Sequence, residues 1–105
     1  MSLFQSELAI RTSGKGTYDL TSQTQEALAR SGATSGICVV FCRHTSCSLV
    51  LMENADPSAR RDLENYLDRL VPDDDPHFTH TYEGPDDMPS HIKICLLYTS
   101  DAADE

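Results

Sequence analysis

The chain is short and acidic. Its 105 residues include 17 aspartates and glutamates against 8 lysines and arginines, a net charge of −9 at pH 7. This length predicts a single domain, and the negative charge argues against a protein that coats nucleic acid phosphates. No apolar run approaches the length of a membrane span, and the first residues lack the basic start and apolar stretch of a signal peptide.

The first third of the chain predicts a strand followed by a helix. Residues 4–11 alternate weakly between apolar and polar side chains, which predicts a strand with one buried face. Residues 20–30 predict a helix, in which Ser22 and Gln25 fit a capping box. Gly32 lies just beyond this helix and is expected to end it.

Two further strands are predicted in the middle of the chain. Residues 36–43 are apolar on both faces, which is typical of a central, doubly covered strand. Residues 46–52 alternate, with Cys47, Leu49 and Leu51 on the inner face. Cys38 and Cys42 lie on one predicted strand about 13 Å apart, at roughly 3.3 Å per residue, which is too far for a disulfide. We therefore expect reduced thiols and a cytoplasmic protein.

The second helix carries the clearest signals in the chain. Asp56 suits its N-cap, and Pro57 suits its first position. Its apolar side chains recur at i, i+3, i+4 and i+7, a pattern that predicts a helix lying on the sheet; they are Leu63, Tyr66, Leu67 and Leu70.

A third helix is expected from Asp87, which can cap it, with Pro89 tolerated in its first turn. Strands and helices then mix without strict alternation of strand and helix. The predicted fold is therefore α+β, with a mixed, mainly antiparallel sheet and two to three helices.

Three histidines are the candidate metal ligands. His44 follows a predicted buried strand, and His80 and His91 lie 36 and 47 residues further along the chain. Three imidazoles can hold a zinc ion with a fourth position open, so we expect a divalent metal, zinc first. The spacing matches no short metal motif, which leaves a set of scattered, backbone-bonded histidines as the alternative.

Three carboxylates accompany these histidines. Asp87 precedes His91 by four residues and can orient its ring, although Asp87 also suits a helix N-cap. Asp86 has no such structural duty. Glu53 directly follows the predicted strand 46–52 and can reach the pocket of His44. We take His44, Glu53, Asp86 and Asp87 as candidate catalytic residues.

The last eleven residues form an unusual tail. Residues 95–105 resemble one reading frame of a sequencing adapter, and such foreign segments do not belong in fold reasoning. We expect the natural domain to comprise residues 1–94 and to lack its C-terminal part.

Four segments together resemble the YjbQ family, often labelled secondary thiamine-phosphate synthases. They are residues 44–49 (His-Thr-Ser-Cys-Ser-Leu), 53–57 (Glu-Asn-Ala-Asp-Pro), 62–64 (Asp-Leu-Glu) and 80–91 (His-Thr-Tyr-Glu-Gly-Pro-Asp-Asp-Met-Pro-Ser-His). The resemblance covers residues 4–94. It implies a compact α+β domain that assembles as a homotrimer, with His44, His80 and His91 lining a pocket that can hold a metal ion.

The resemblance also implies a transferase reaction. Such an enzyme joins a hydroxymethyl-pyrimidine diphosphate to a thiazole phosphate and releases pyrophosphate, so its partners are small phosphorylated substrates. The chain departs from the family by lacking tryptophan and the later strands. A non-catalytic metal- or phosphate-binding module and a metal-assisted phosphate-ester hydrolase are the competing functions.

Overall fold

The computed structural model describes the backbone of residues 2–103 and the side chains of residues 2–97. Within these residues, the regular secondary structure consists of three helices. The helices are α1 (Thr21–Ser31), α2 (Pro57–Leu70) and α3 (Asp87–Ala103). The chain divides into two units, Met1–Val39 and Val40–Glu105. Helix α1 belongs to the first unit, whereas α2 and α3 belong to the second.

The prediction of an α+β fold with a mainly antiparallel sheet is wrong. Residues 2–103 contain no strand, and the segments 4–11, 36–43 and 46–52 run without regular secondary structure. Their apolar side chains stay in solvent, for example Ile37 at 94% and Leu51 at 101% exposure. Alternation marks the apolar face of a segment, but a strand exists only where another segment supplies the hydrogen bonds of a ladder.

Helix α1 ends as the sequence predicts but begins differently. The predicted capping box at Ser22 and Gln25 is wrong, because Leu20 occupies the N-cap and no side chain caps it. The carboxylate of Asp19 instead accepts a hydrogen bond from the Thr21 N–H at 2.9 Å. The predicted stop is confirmed: Gly32 adopts a left-handed conformation (φ 72°), and its N–H donates to the Ala29 carbonyl.

Helix α2 starts as predicted. Asp56 is its N-cap, and its carboxylate accepts hydrogen bonds from the Ser58 N–H at 2.9 Å and the Ser58 hydroxyl at 2.8 Å. Pro57 follows at the first helical position. The prediction that this helix lies on a sheet is wrong, because Tyr66 and Leu70 of its apolar stripe are exposed.

Helix α3 starts within one residue of the prediction: Asp87, which was expected to cap it, is its first residue, and Pro89 is buried in its first turn. An ion pair of 3.2 Å between Lys93 and Asp68 links it to α2. The Asp68 carboxylate is half exposed, so this pair adds little stability. Among residues 2–97, the buried positions are Val71 and Pro89.

The C-terminal tail continues helix α3 over residues 95–103, and residues 104 and 105 lie outside the described part of the chain. The expectations that residues 95–105 are foreign and that residues 1–94 form one domain stay predictions. Within the described residues, no helix combines the length and the apolar character needed to cross a bilayer.

The cap of α2 leads to a pH-dependent prediction. The hydrogen bonds from Ser58 lower the pKa of Asp56 below its ordinary value of 3.8. The cap therefore contributes stability above that value and loses it as the pH falls through the lowered pKa. We expect Asp56→Ala to reduce helix content and thermal stability at neutral pH, as measured by far-UV circular dichroism.

The matched control is Asp56→Asn, which keeps an acceptor for the Ser58 N–H without the titrating group. It should hold most of the helix content at neutral pH and lose the part of the acid dependence that Asp56 contributes. Equal helix content for the alanine and wild-type chains at neutral pH would contradict the role of this cap.

Candidate metal centre

One carboxylate oxygen meets two imidazoles in the second unit. Oδ2 of Asp87 lies 2.9 Å from Nε2 of His80 and 3.1 Å from Nε2 of His91. The centroids of the two rings lie 5.5 Å apart. One ligand atom from each of the three residues falls within 4.8 Å of the others, so the three side chains converge on one point.

Helix α3 and the turn before it bring these side chains together. Asp87 and His91 are four residues apart on the helix, which places them on the same face. His80 precedes the helix, and the chain turns between them, where the Gly84 N–H donates to the Thr81 carbonyl at 3.2 Å. Gly84 has a φ of 107°, a conformation that a side chain would strain.

The cluster is shallow. The Asp87 side chain is 15% exposed and that of His91 is 29% exposed, whereas His80 is 52% exposed. Solvent therefore reaches the cluster from the His80 side. Ion pairs this close to water contribute little to stability, so folding alone gives a weak reason for three ionisable groups to converge here.

The second nitrogen of His91 faces the backbone. Nδ1 lies 2.9 Å from the Thr45 carbonyl oxygen. Because a carbonyl oxygen only accepts hydrogen bonds, Nδ1 of His91 must carry the proton. In the neutral ring, Nε2 then presents a lone pair to the Asp87 carboxylate. Two lone pairs facing each other repel, unless a proton or another cation lies between them.

This arrangement changes the proton affinity of the ring. The hydrogen bond to the Thr45 carbonyl raises the pKa of His91 above its ordinary value. Partial burial acts in the opposite direction, and the nearby charge of Asp87 adds to the rise. The cluster therefore favours a positive charge at Nε2. A proton supplies that charge at low pH, and a metal ion can supply it in place of the proton.

His44 is not a member of the cluster of His80, Asp87 and His91. Its Nδ1 accepts a hydrogen bond from the Ser46 N–H at 2.9 Å, which is the backbone-bonded arrangement that the sequence left open. Its assignment as a metal ligand stays a prediction.

The other two candidate carboxylates lie in local backbone structure. Oε1 of Glu53 accepts hydrogen bonds from the backbone N–H groups of Ala55 at 2.8 Å and Asp56 at 3.2 Å. Asp86 accepts the Ser90 N–H and hydroxyl through its backbone carbonyl. Neither belongs to the cluster, and their catalytic roles stay predictions.

Sequence reasoning missed two parts of this site. It assigned Asp87 to catalysis or ring orientation and did not propose it as a metal ligand, although its spacing to His91 was the available signal. It also did not anticipate the contacts of Thr45 and Ser46 with His91. No local sequence pattern predicts those contacts, since the residues are more than forty positions apart.

The chain as a whole matches a known family. Residues 6–102 match the family model described as UPF0047 protein YjbQ-like. The chain belongs to this family. It is 44% identical over 97 residues to the UPF0047 protein sll1880 of Synechocystis sp., covering 92% of this chain and 66% of that protein.

Proteins of other organisms are also similar to this chain. The chain is 40% identical over 98 residues to the UPF0047 protein YjbQ of Escherichia coli O157:H7, covering 92% of this chain and 70% of that protein. It is 38% identical over 79 residues to the UPF0047 protein MJ1081 of Methanocaldococcus jannaschii, covering 75% of this chain and 54% of that protein. The chain thus spans between 54% and 70% of the length of these three relatives. No solved structure matches it significantly.

The tautomer of His91 is open to direct measurement. With ¹⁵N-labelled histidine and the metal-free chain above the raised pKa of His91, two-bond proton–nitrogen correlations should show Nδ1 protonated and Nε2 bare. His77 is the internal control, since its backbone N–H, not its ring, bonds to Asp75. A His91 spectrum with the proton on Nε2 would rule out the bond to the Thr45 carbonyl.

Proposed function

We propose that the chain binds a divalent metal ion through His80, Asp87 and His91 and uses it for a transfer reaction of the thiamine-phosphate synthase type. The observation that carries the proposal is the single Asp87 oxygen between two Nε2 atoms. Two imidazoles and one carboxylate are a common set of protein ligands at catalytic zinc sites, and they leave a fourth position for substrate.

The geometry of the cluster fits a metal of this kind. With metal–nitrogen bonds of about 2.0–2.1 Å, two ligand atoms of a tetrahedral zinc site lie roughly 3.3–3.4 Å apart. The two Nε2–Oδ2 distances, 2.9 and 3.1 Å, are those of hydrogen bonds, so both must lengthen by a few tenths of an ångström when a metal ion binds. The bond from Nδ1 of His91 to a backbone carbonyl is also typical of a metal-binding histidine, because it orients the ring and leaves Nε2 for the metal.

The charge of the chain supports a cation at the site. A net charge of −9 repels a diphosphate substrate, and the cluster itself adds the carboxylate of Asp87. A bound divalent ion would neutralise charge on the diphosphate as it leaves. The acidic chain and the anionic substrate are compatible once such an ion occupies the cluster.

The proposed reaction needs orientation more than proton transfer. The bond between the methylene carbon of the pyrimidine and the diphosphate breaks, and a bond from that carbon to the thiazole nitrogen forms. The nitrogen lone pair makes the new bond, so no base has to remove a proton. We assign the cluster to binding the diphosphate, and we propose His44, Glu53 and Asp86 as groups that contact the substrates.

The partners and compartment are part of the proposal. Homotrimer formation is supported by apolar side chains left in solvent in the second unit, among them Phe41, Leu51 and Tyr82. Four free cysteines are compatible with the reducing conditions of the cytoplasm.

A non-catalytic metal-binding module is the second candidate. The observation in its favour is the exposure of His80, since electrostatic catalysis is strongest where water is excluded. Such a module would bind the metal with the same three residues and convert no phosphorylated substrate.

Metal binding tests the proposed ligands. We expect a Co²⁺ titration of the whole chain to saturate at one site and develop visible absorption bands. The variants His80→Ala, Asp87→Ala and His91→Ala each remove a proposed ligand. Each should weaken Co²⁺ binding by more than roughly 10- to 100-fold, which is the effect of losing a hydrogen-bond partner of a ligand. His77→Ala is the matched control, and equal loss of affinity in that variant would exclude this cluster as the site.

Turnover separates the two candidate functions. With metal bound, the chain should form thiamine phosphate and pyrophosphate from the two phosphorylated precursors, and Asp87→Ala should abolish the product. Metal binding without product, tested also on a longer relative such as the Escherichia coli protein, would favour the non-catalytic module. Release of phosphate from simple phosphate esters would favour a hydrolase.

A further inference from the structure

The turn at residues 44–46 holds the ring of His44 and also contacts the ring of His91. The backbone N–H of Ser46 donates to Nδ1 of His44 at 2.9 Å. Its hydroxyl oxygen lies 3.3 Å from Nδ1 of His91, and the Thr45 carbonyl oxygen lies 2.9 Å from the same nitrogen. Ser46 thus contacts both imidazole rings, that of His44 through its backbone and that of His91 through its side chain.

Two oxygen atoms surround one nitrogen of His91. The Thr45 carbonyl can only accept a hydrogen bond, and it is the closer of the two, so the proton of Nδ1 points towards it. The Ser46 hydroxyl oxygen then accepts the weaker branch of the same proton. Together the two acceptors hold the ring in the orientation that directs Nε2 to Asp87.

The backbone of Ser46 has the opposite effect on His44. An N–H group only donates, so Nδ1 of His44 must keep its lone pair. Nε2 is then the nitrogen of His44 that remains for a substrate or a metal. The Thr45 carbonyl therefore determines which nitrogen His91 presents, and the Ser46 N–H determines which nitrogen His44 presents.

We propose that the Ser46 hydroxyl is a positioning group of the metal centre, which acts through the ring of His91 and supplies no ligand atom to the metal itself. The inference rests on the proposed metal site. Outer hydrogen-bond partners of this kind contribute about 10- to 100-fold to metal affinity. Ser46 should therefore matter for metal binding although it supplies no ligand atom.

The test compares Ser46→Ala with Ser46→Thr and with Ser48→Ala. Alanine removes the hydroxyl and keeps the backbone N–H, so the bond to His44 remains as an internal control. Threonine restores a hydroxyl at the same position. Ser48→Ala removes a neighbouring hydroxyl that is outside the hydrogen bonds to His44 and His91.

The expected result is a Co²⁺ affinity at least about 10-fold weaker for Ser46→Ala, with wild-type affinity for Ser46→Thr and Ser48→Ala. In the ¹⁵N spectrum of the metal-free chain, the alanine variant should shift the ring signals of His91 and leave those of His44 unchanged. A general loss of structure would move both rings, so this pattern separates positioning from folding.

Two results would overturn the inference. One is a Ser46→Ala chain that binds Co²⁺ within about twofold of wild type and keeps the His91 signals unchanged. The other is a Ser46→Thr chain as weak as the alanine variant. If the wild-type chain itself binds no metal, the proposed function fails, while the metal-free spectra still decide whether Ser46 orients His91.

Discussion

The Asp87 carboxylate is the group on which the rest of this site depends. It stands at the first residue of α3, where the partial positive charge of a helix N-terminus favours an anion. The same oxygen faces Nε2 of both His80 and His91. Removing this carboxylate would leave the two imidazoles without the charge that draws them together, and α3 without the acidic residue of its first turn.

The site combines a local part with a distant one. Residues 80–91 place three ligand atoms by helix geometry and one turn, which needs few other contacts. The bonds from Thr45 and Ser46 cross 45 or 46 positions of sequence. With Val71 and Pro89 as the buried residues of the described side chains, little packing supports the distant part, so it is the part most easily lost by local unfolding.

Charge explains why a cation site is consistent with this chain. The protein is strongly acidic, and a phosphorylated ligand would be repelled by its overall field. The cluster brings one carboxylate and two imidazole nitrogens to a single point, which is a local preference for positive charge. Family membership, shown by the match over residues 6–102, is independent of this electrostatic reasoning and does not by itself assign a reaction.

The sequence by itself determined the starts of α2 and α3 and the proximity of Asp87 to His91, because caps, proline positions and helical spacing act within a few residues. The sheet that the sequence predicts is absent from the described residues. Alternation of apolar and polar residues is a property of one segment, whereas the hydrogen bonds of a β-ladder require two. The meeting of Thr45 and Ser46 with His91 was decided only by the tertiary structure. Contacts across such a separation depend on how the intervening chain folds, and no local pattern carries that information.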